Sequence, residues 1–501
     1  KKPDKAIEIL RLGQAANPES VTTHEWLGLA YQQASQPDEA IAAFGIALAK
    51  SNPTLISVRG WAKLHAAAKR FDDAFKVLDT ALTKDKREPE FWLGIADLYR
   101  DTGIAARAKM DRIKAGIITS LDKASALKPE SPLILHRLAD YYKVWGESDK
   151  AIALFIQLIE LNPGLIGVRE QLADLYLRAD MTQDATRQLE AILRERPTNE
   201  RALFVLGGIK RQLDKLEEAA AHFETVLKIN PKFELAYYEL AGVRLFQNKP
   251  TITLATLKKA GEQFKPRFIT KFYAGLAHSA LYQYPKAIEN LLDAEKLAQA
   301  GEQNRLTHFF YFQLGAAYER NRQYETADET FNKAIEMSPE YHNAMNYLGY
   351  MWADINLNLD EAAKHITKAN ELSPDNASYV DSLGWLYFRQ GKFTEALAEL
   401  QRAAELMKDE PDSTIHEHIG DTHQQLGQAD EARAQWEKSL GLLRKQEAEM
   451  TSPDSYLLEQ LGNVLNKLGQ ADKANAAWQR SYDITPNQPL HKKLHPAEKE
   501  E

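Results

Sequence analysis

The densest group of side chains suited to holding a metal or moving a proton is His416, His418 and His423, with Asp421 between them. Two imidazoles bind one ion from a single helix when they stand four residues apart, as in His-Glu-x-x-His. The spacings of two and five found here do not put two imidazoles on one face as the spacing of four does, so no metal site is expected. The 501 residues include no cysteine, which excludes thiolate zinc, iron–sulfur clusters, thiol nucleophiles and disulfides. No glycine-rich phosphate loop, Gly-x-Ser-x-Gly elbow or dinucleotide fingerprint occurs, so neither catalysis nor a cofactor is expected. Asn376-Ala377-Ser378 matches a glycosylation sequon, a triplet that arises readily by chance.

The elements that carry these residues follow from composition and period. With 63 basic against 71 acidic residues the net charge is −8, and both signs are spread along the chain. That balance argues against a nucleic-acid partner, and no apolar run is long enough to span a bilayer. Leu138-Ala139, Tyr142, Ala151, Phe155 and Pro163 recur as Leu172-Ala173, Tyr176, Ala185, Leu189 and Pro197, every element shifted by 34. Two further copies follow, through Leu206-Gly207, Ala219, Phe223 and Pro231 and through Leu240-Ala241, Leu257 and Pro266. Apolar positions at intervals of three and four form two arcs per unit, separated by a polar stretch and closed by proline, which predicts a helical hairpin. The small residue at the eighth position (Gly28, Gly207, Gly275, Gly315, Gly349, Gly384, Gly420 and Gly462) admits the second helix closely.

The spacing of Leu-Gly, Tyr, Ala, Phe, Ala and Pro resembles the tetratricopeptide repeat. The resemblance implies an all-α fold, a right-handed superhelical solenoid of about thirteen hairpins beginning near Val21, Leu55, Pro89, Pro132, Ile166, Glu200, Glu234, Pro266, His308, His342, Ala377, Ser413 and Ser455. Residues 1–20, with Ala6, Leu10 and Pro18, read as a second-helix remnant. A chain opening inside a repeat is expected to have lost its true N-terminus. The solenoid is expected over 21–486, with longer units at 89–131, 266–307 and 413–454. Ile104 to Lys128 predicts a lengthened helix, Gln299 to Asn304 a loop, and Gly441 to Ser455 an extension with Lys445, Glu447 and Glu449 in solvent. The charged segment 487–501 is expected to be disordered.

In the family, a concave groove is lined by the second, fifth, ninth and twelfth positions of each first helix. Transferred to this sequence, these and adjacent places give Phe204, Leu235, Tyr238, Leu245, Phe246, Phe272, Leu276, Phe309, Phe312, Tyr350, Trp385 and Phe388, with small residues such as Gly208 and Gly242 between. Such a stripe suits a helix or extended peptide from one or more partner proteins. Core packing is the competing reading, because aromatic residues at helical spacing also fill interhelix space. The flanking repeats carry charge at groove positions: Glu25, Arg59, Lys63, Asp97, Arg100, His136, Asp140, Glu170 and Asp174 on one side, Asp381, Glu417, Asp421, Glu459 and Lys467 on the other. They read as a polar rim or a solvated face. The clamp by which one branch of the family grips a C-terminal carboxylate is not expected. Arg59 and Lys63 have no Asn partner in the next unit, where Leu93 and Gly94 stand, and His423 occupies the family's Tyr position.

From Asn346 the chain reads Tyr347-Leu348-Gly349-Tyr350, Ala353-Asp354, Asp381-Ser382-Leu383-Gly384-Trp385, Tyr387, Arg389, then His418-Ile419-Gly420-Asp421. This string resembles the C-terminal repeats of exported bacterial tetratricopeptide proteins, including outer-membrane lipoproteins that recruit C-terminal processing proteases. The resemblance implies a non-enzymatic periplasmic scaffold for an envelope protease or complex, anchored through a missing N-terminal lipid-bearing cysteine. Absence of cysteine suits an oxidising compartment. A cytoplasmic adaptor, an accessory region of a larger enzyme, and a groove that stacks on polysaccharide remain as alternatives.

Overall fold

The computed structural model describes residues 3–50, 54–83, 88–450, 454–484, 486 and 488–495. Among them are 28 α-helices, one short 3-10 turn and no strand. The chain is an all-α array of thirteen helical hairpins behind one N-terminal half repeat, Pro3–Ala16. First helices begin at Val21, Leu55, Pro89, Pro132, Ile166, Glu200, Glu234, Phe268, His308, His342, Ala377, Ser413 and Ser455. Only the eighth departs from the start read in the sequence, by two residues. Pro266 lies just before that helix, where Arg267 and Thr270 form the opening turn instead.

The hairpin geometry has simple local causes. Each first helix typically spans thirteen residues, and the fifteenth residue of twelve hairpins has a positive φ, from Ser35 and Lys69 to Gly427 and Gly469. That left-handed residue reverses the chain between the two helices. Glycine adopts it freely; Tyr282 (φ 57°) and Arg322 (φ 59°) adopt it against the steric preference of a side chain. Close approach of the paired helices rests on the eighth-position glycine. A Cβ on Gly315 would lie 2.8 Å from the Phe331 ring, and one on Gly462 would lie 2.3 Å from Trp478.

The chain divides into two compact units, Lys1–Ile209 and Lys210–Glu501. In the first, a core around Trp92, Tyr99, Tyr142 and Phe155 runs through hairpins two to five. In the second, Phe268, Phe310, Phe331 and Trp352 anchor a core through hairpins eight to eleven, and Trp436, Leu443 and Trp478 anchor another at the C-terminal end.

The three long units differ in detail from expectation. In the third hairpin the extra residues lengthen both helices, Pro89–Ala106 and Met110–Ala126, with the reversal at Arg107. The segment read as a loop at Gln299–Asn304 is instead the end of the helix Tyr284–Gly301 followed by the 3-10 turn Gln303–Arg305. Ala298, fully buried, shows why that helix continues. The helix Ala429–Glu449 runs through Gly441 because Leu443 is buried; Lys445 and Glu449 are exposed and Glu447 pairs with Arg480 at 2.8 Å. Residues 451–453 lie outside the described residues. Within the segment expected to be disordered, Gln488–Leu494 is helical, with Leu490 buried in the C-terminal core and Lys493 Nζ 3.0 Å from Glu459. Asn487 and residues 496–501 of that segment lie outside the described residues.

Candidate functional site

Placing the twelve groove residues separates them into three groups. Tyr238, Phe272 and Phe312 are buried in packed clusters, so for these three the core reading replaces the groove reading, while Trp385, also buried, stands at a cavity wall. Phe272 stacks on Phe268 at 5.3 Å and also touches Phe310 of the next hairpin. Phe312 meets Tyr341 and Tyr347 edge-on, and the Tyr238 hydroxyl donates to Glu234. The glycine gap at Gly242 is filled by a neighbour: its Cβ position lies 3.0 Å from the Tyr273 hydroxyl. Leu235, Phe246 and Phe309 are exposed, while Phe204, Leu245, Leu276 and Phe388 are half-buried, Leu276 and Phe388 against the core. Tyr350 and Trp385 line a cavity elsewhere in the second unit.

That cavity is built by first helices of the last five hairpins: His308–Arg320, His342–Asp354, Ala377–Arg389, Ser413–Gln425 and Ser455–Lys467. Two adjoining spaces, of about 210 and about 270 Å³, share Glu319, Arg320, Tyr350, Thr414 and Tyr456 in their walls. Hairpins nine and thirteen close around them. The Arg320 guanidinium lies 4.5 Å over the Tyr456 ring, and Arg322 reaches Glu459 at 2.6 Å across 137 positions of sequence. Arg322 is the left-handed turn residue of its hairpin, standing where four other hairpins have glycine.

The charges lining this interior are largely removed from water. Glu417 and Glu459 expose 12% of their side chains and Asp421 16%. Lys467 Nζ holds Glu417 and Asp421 at 2.7 Å each. Burial alone would lower the Lys467 ammonium; the two carboxylates overcome it and raise it above its usual value. His418 donates from Nδ1–H to Asp381 at 2.9 Å, its ring stacked on Trp385 at 4.0 Å. Its burial opposes protonation, yet Asp381, Glu417 and Asp421 carry the imidazole above its ordinary 6.5. Burial pushes the Glu319 carboxyl up, with Arg320 at 3.3 Å pulling the other way and Asp354 adding to the rise.

Three polar atoms around the cavity lack hydrogen-bond partners: Glu319 Oε2, Asn346 Oδ1 and Trp385 Nε1. Asn346 and Trp385 are 5% and 7% exposed. A buried polar group left unpaired costs about 1–3 kcal/mol, and such groups also occur away from this cavity, at His65 and Ser439 among others. The other polar groups set out by the sequence behave differently. Glu25 is buried but satisfied by the Thr54 and Ser57 hydroxyls, and Asp97, Arg100, Asp140 and Asp174 form surface ion pairs. His416, His418 and His423 turn to three separate partners, Gln435, Asp381 and Gln428. Among the described residues no group of three or more His, Asp or Glu is placed to hold a metal, and no helix is long and apolar enough to cross a membrane.

Residue spacing did not reveal Glu319, Arg320, Arg322 or Tyr456. One signal was present: the string from Asn346 to Asp421 contributes Asn346, Tyr350, Asp354, Asp381, Trp385, His418 and Asp421 to these walls, on three successive first helices.

An array of such hairpins, one inner face per first helix, defines a helical-repeat binding protein. Profiles described as Tetratricopeptide repeat match residues 59–110, 133–165, 170–232, 310–341 and 356–445, together more than half of the sequence. The chain belongs to the tetratricopeptide-repeat family. It is 37% identical over 87 residues to a TPR repeat-containing protein, PA4667, of Pseudomonas aeruginosa, and 30% identical over 98 residues to Anaphase-promoting complex subunit 3 of Schizosaccharomyces pombe. These matches cover 17% and 20% of this chain and only 14% and 15% of those relatives. Among solved structures, the Cut9–Hcn1 hetero-tetramer of APC/C aligns over 95% of this chain and 96% of its own, at 13% identity and TM-score 0.39. The Naa15/Naa10 complex bound to HypK-THB aligns over 99% of this chain and 77% of its own, at 16% identity and TM-score 0.40.

Proposed function

We propose that this chain is a protein-binding scaffold whose principal recognition site is the interior formed by hairpins nine to thirteen. The observation that carries it is a pair of buried polar atoms without hydrogen-bond partners, Asn346 Oδ1 and Trp385 Nε1, in the walls of the two adjoining spaces. Tetratricopeptide arrays present first helices to a partner, and stacking fixes those helices without using their inner positions. Here the inner positions carry charge, rings and unmet hydrogen bonds, the features of a specific recognition surface. Asn346→Arg fills the cavity while staying on the inner face. Partner capture from cells of origin should be lost with Asn346→Arg while helical circular dichroism is retained. Capture unchanged by a folded Asn346→Arg protein rejects this site.

The wider reading is an envelope scaffold that recruits, raising the effective concentration of two proteins held on one array, an envelope protease or complex among them. The Asn346–Asp421 string and the cysteine-free composition support it. Fractionation of native cells tests it: recovery with the envelope supports the reading, and recovery with the cytosol replaces it by a cytoplasmic adaptor.

A further inference from the structure

We infer that a cavity in hairpins one to three binds a small uncharged aromatic molecule that carries one hydroxyl group. The site lies in the first unit and is independent of the scaffold reading above. Its space of about 660 Å³ falls within the roughly 300–1,000 Å³ of small-molecule sites. Leu48, Val58, Trp61, Val77, Ala81 and Phe91 give it apolar walls. The ionic groups in the wall are Asp73 and Lys76, which balance, so the site selects neither sign. A charged guest that leaves water without a partner of its own is disfavoured there.

The hydroxyl answers to His65. Three hairpins carry histidine at the eleventh position of the first helix: His65, His278 and His423. His278 and His423 each turn Nδ1 to the Oε1 of a glutamine five residues on, Gln283 and Gln428. Five residues after His65 stands Arg70, which cannot accept a hydrogen bond. Where the eleventh residue is tyrosine in the first, third and fourth hairpins, its hydroxyl bonds a side chain twenty positions earlier, Arg11, Asp79 or Asp122. Twenty positions before His65 is Gly45, which has no side chain to offer. His65 is therefore left with neither kind of partner. It is 5% exposed, and neither ring nitrogen has a hydrogen bond, although Asp73 Oδ2 stands 3.4 Å from Nδ1.

Both comparisons lead to the same space. Gly45, Trp61 and Asp73 line the cavity, and the last two lie against His65, the Trp61 ring 3.8 Å from the imidazole. Burial holds the His65 imidazole below its ordinary 6.5, with Arg70 adding to the fall, so near neutral pH one ring nitrogen donates and the other accepts. A hydroxyl does both and meets either nitrogen. A carboxylate meets only the donor and is repelled by Asp73. The rings of Trp61 and Phe91 give the body of an aromatic guest a surface to pack on.

The test uses the full chain in equilibrium dialysis against 2-naphthol, naphthalene and 2-naphthoate near neutral pH. One saturable site should take 2-naphthol about fivefold more tightly than naphthalene, the ratio that one hydrogen bond supplies, and 2-naphthoate most weakly. Gly45→Leu places its Cβ at an ordinary 3.5 Å from Trp61 Nε1 and suits its helix better than glycine, so it should fold and lose 2-naphthol. His65→Phe should keep naphthalene and bring 2-naphthol down to its level. Should that variant lose helical signal, His65→Leu, the residue that Leu465 places at the eleventh position of the last hairpin, serves the same purpose. No saturable binding, equal affinity for 2-naphthol and naphthalene, or a hydroxyl preference that survives a folded His65 variant overturns the inference. Binding retained by Gly45→Leu also overturns it, because the guest then sits elsewhere. Tighter binding of acetyl-Gly-Gly-Tyr-Gly-Gly-amide than of 2-naphthol overturns it as well, since the guest is then a tyrosine of a partner chain.

Discussion

Hairpins three and four and hairpins nine to thirteen both carry charge on their first helices, and the two regions use it differently. In the earlier region Asp97 binds Arg100 and Arg137 at 3.3 Å each, Asp140 holds Lys143 at 3.0 Å, and Tyr141 donates to Asp97. All these partners lie on the same or the next first helix, and the charged side chains keep 29–42% of their surface in water. In the later region Lys467 and His418 also meet acids of the neighbouring first helix, but Arg322 and Glu459 join hairpins nine and thirteen, the paired acids are mostly hidden, and Asn346 and Trp385 each keep a buried polar atom without a hydrogen-bond partner. The same residue types therefore form a solvated face in one region and a partly buried interior in the other. Convergence of the helices makes the difference, because it lowers the effective dielectric and turns weak surface pairs into costly or selective ones.

The largest effect that would break this comparison concerns aromatic residues of hairpins seven, eight and nine. Changing Tyr238, Phe272 and Phe312 together to Ala was the natural way to empty a groove, but all three are core. Loss of a buried Phe costs about 3–5 kcal/mol, so the triple variant should unfold hairpins seven to ten in urea titration and hydrogen exchange. A triple variant that melts like the parent and merely loses its partner would return these rings to the groove.

A glycine pair sharpens the packing side. Gly462→Ala drives a Cβ to 2.3 Å from Trp478 and should destabilise the C-terminal hairpin by about 1–3 kcal/mol. Gly208→Ala has nothing within 4 Å and lies inside a helix, so it should be neutral or stabilise by up to about 1 kcal/mol. Paired thermal melts of the two variants read the difference directly.

Much of the fold was legible because a repeat is a local pattern: proline, glycine and apolar arcs fix each hairpin from its own 34 residues. The site was legible only in part. Asp381, Glu417, Asp421, Glu459 and Lys467 were placed on the inner face by their position, but that they are buried together depends on rotation accumulated over five hairpins. No spacing within one repeat encodes the meeting of Arg322 with Glu459. The aromatic stripe failed for a related reason. Periodicity told which face Phe272 occupies, while the rings that fill that face belong to the next hairpin.

Arg322 gives a finer lever on convergence. Arg322→Gly removes the 2.6 Å pair with Glu459 and relieves a left-handed backbone worth about 1 kcal/mol, so global stability should change little. Amide exchange in Ser455–Lys467 should nonetheless quicken several-fold, since that helix loses its tie to hairpin nine. Arg100→Ala, which breaks the half-exposed pairs with Asp97 and Asp101 and the hydrogen bond to the Tyr141 hydroxyl, should leave exchange in its own hairpin nearly unchanged. Equal responses would mean that the later region is as open as the earlier one.

The smallest effect is a titration. His418 is raised above 6.5 in the folded chain, burial working against it and Asp381 prevailing, so its protonated form is bound more tightly folded than unfolded. The stability this adds is fully present below 6.5 and is lost as pH rises through the folded value. Glu319, also raised, weakens folding as pH climbs above 4.5, which runs in the same direction. The difference in denaturation midpoint between the parent and His418→Gln cancels that shared slope and isolates the imidazole. It should favour the parent at pH 6 and shrink steadily toward pH 9. A pH-independent difference at His418 would mean that the histidine stays neutral beside Asp381 and leaves that carboxylate uncompensated.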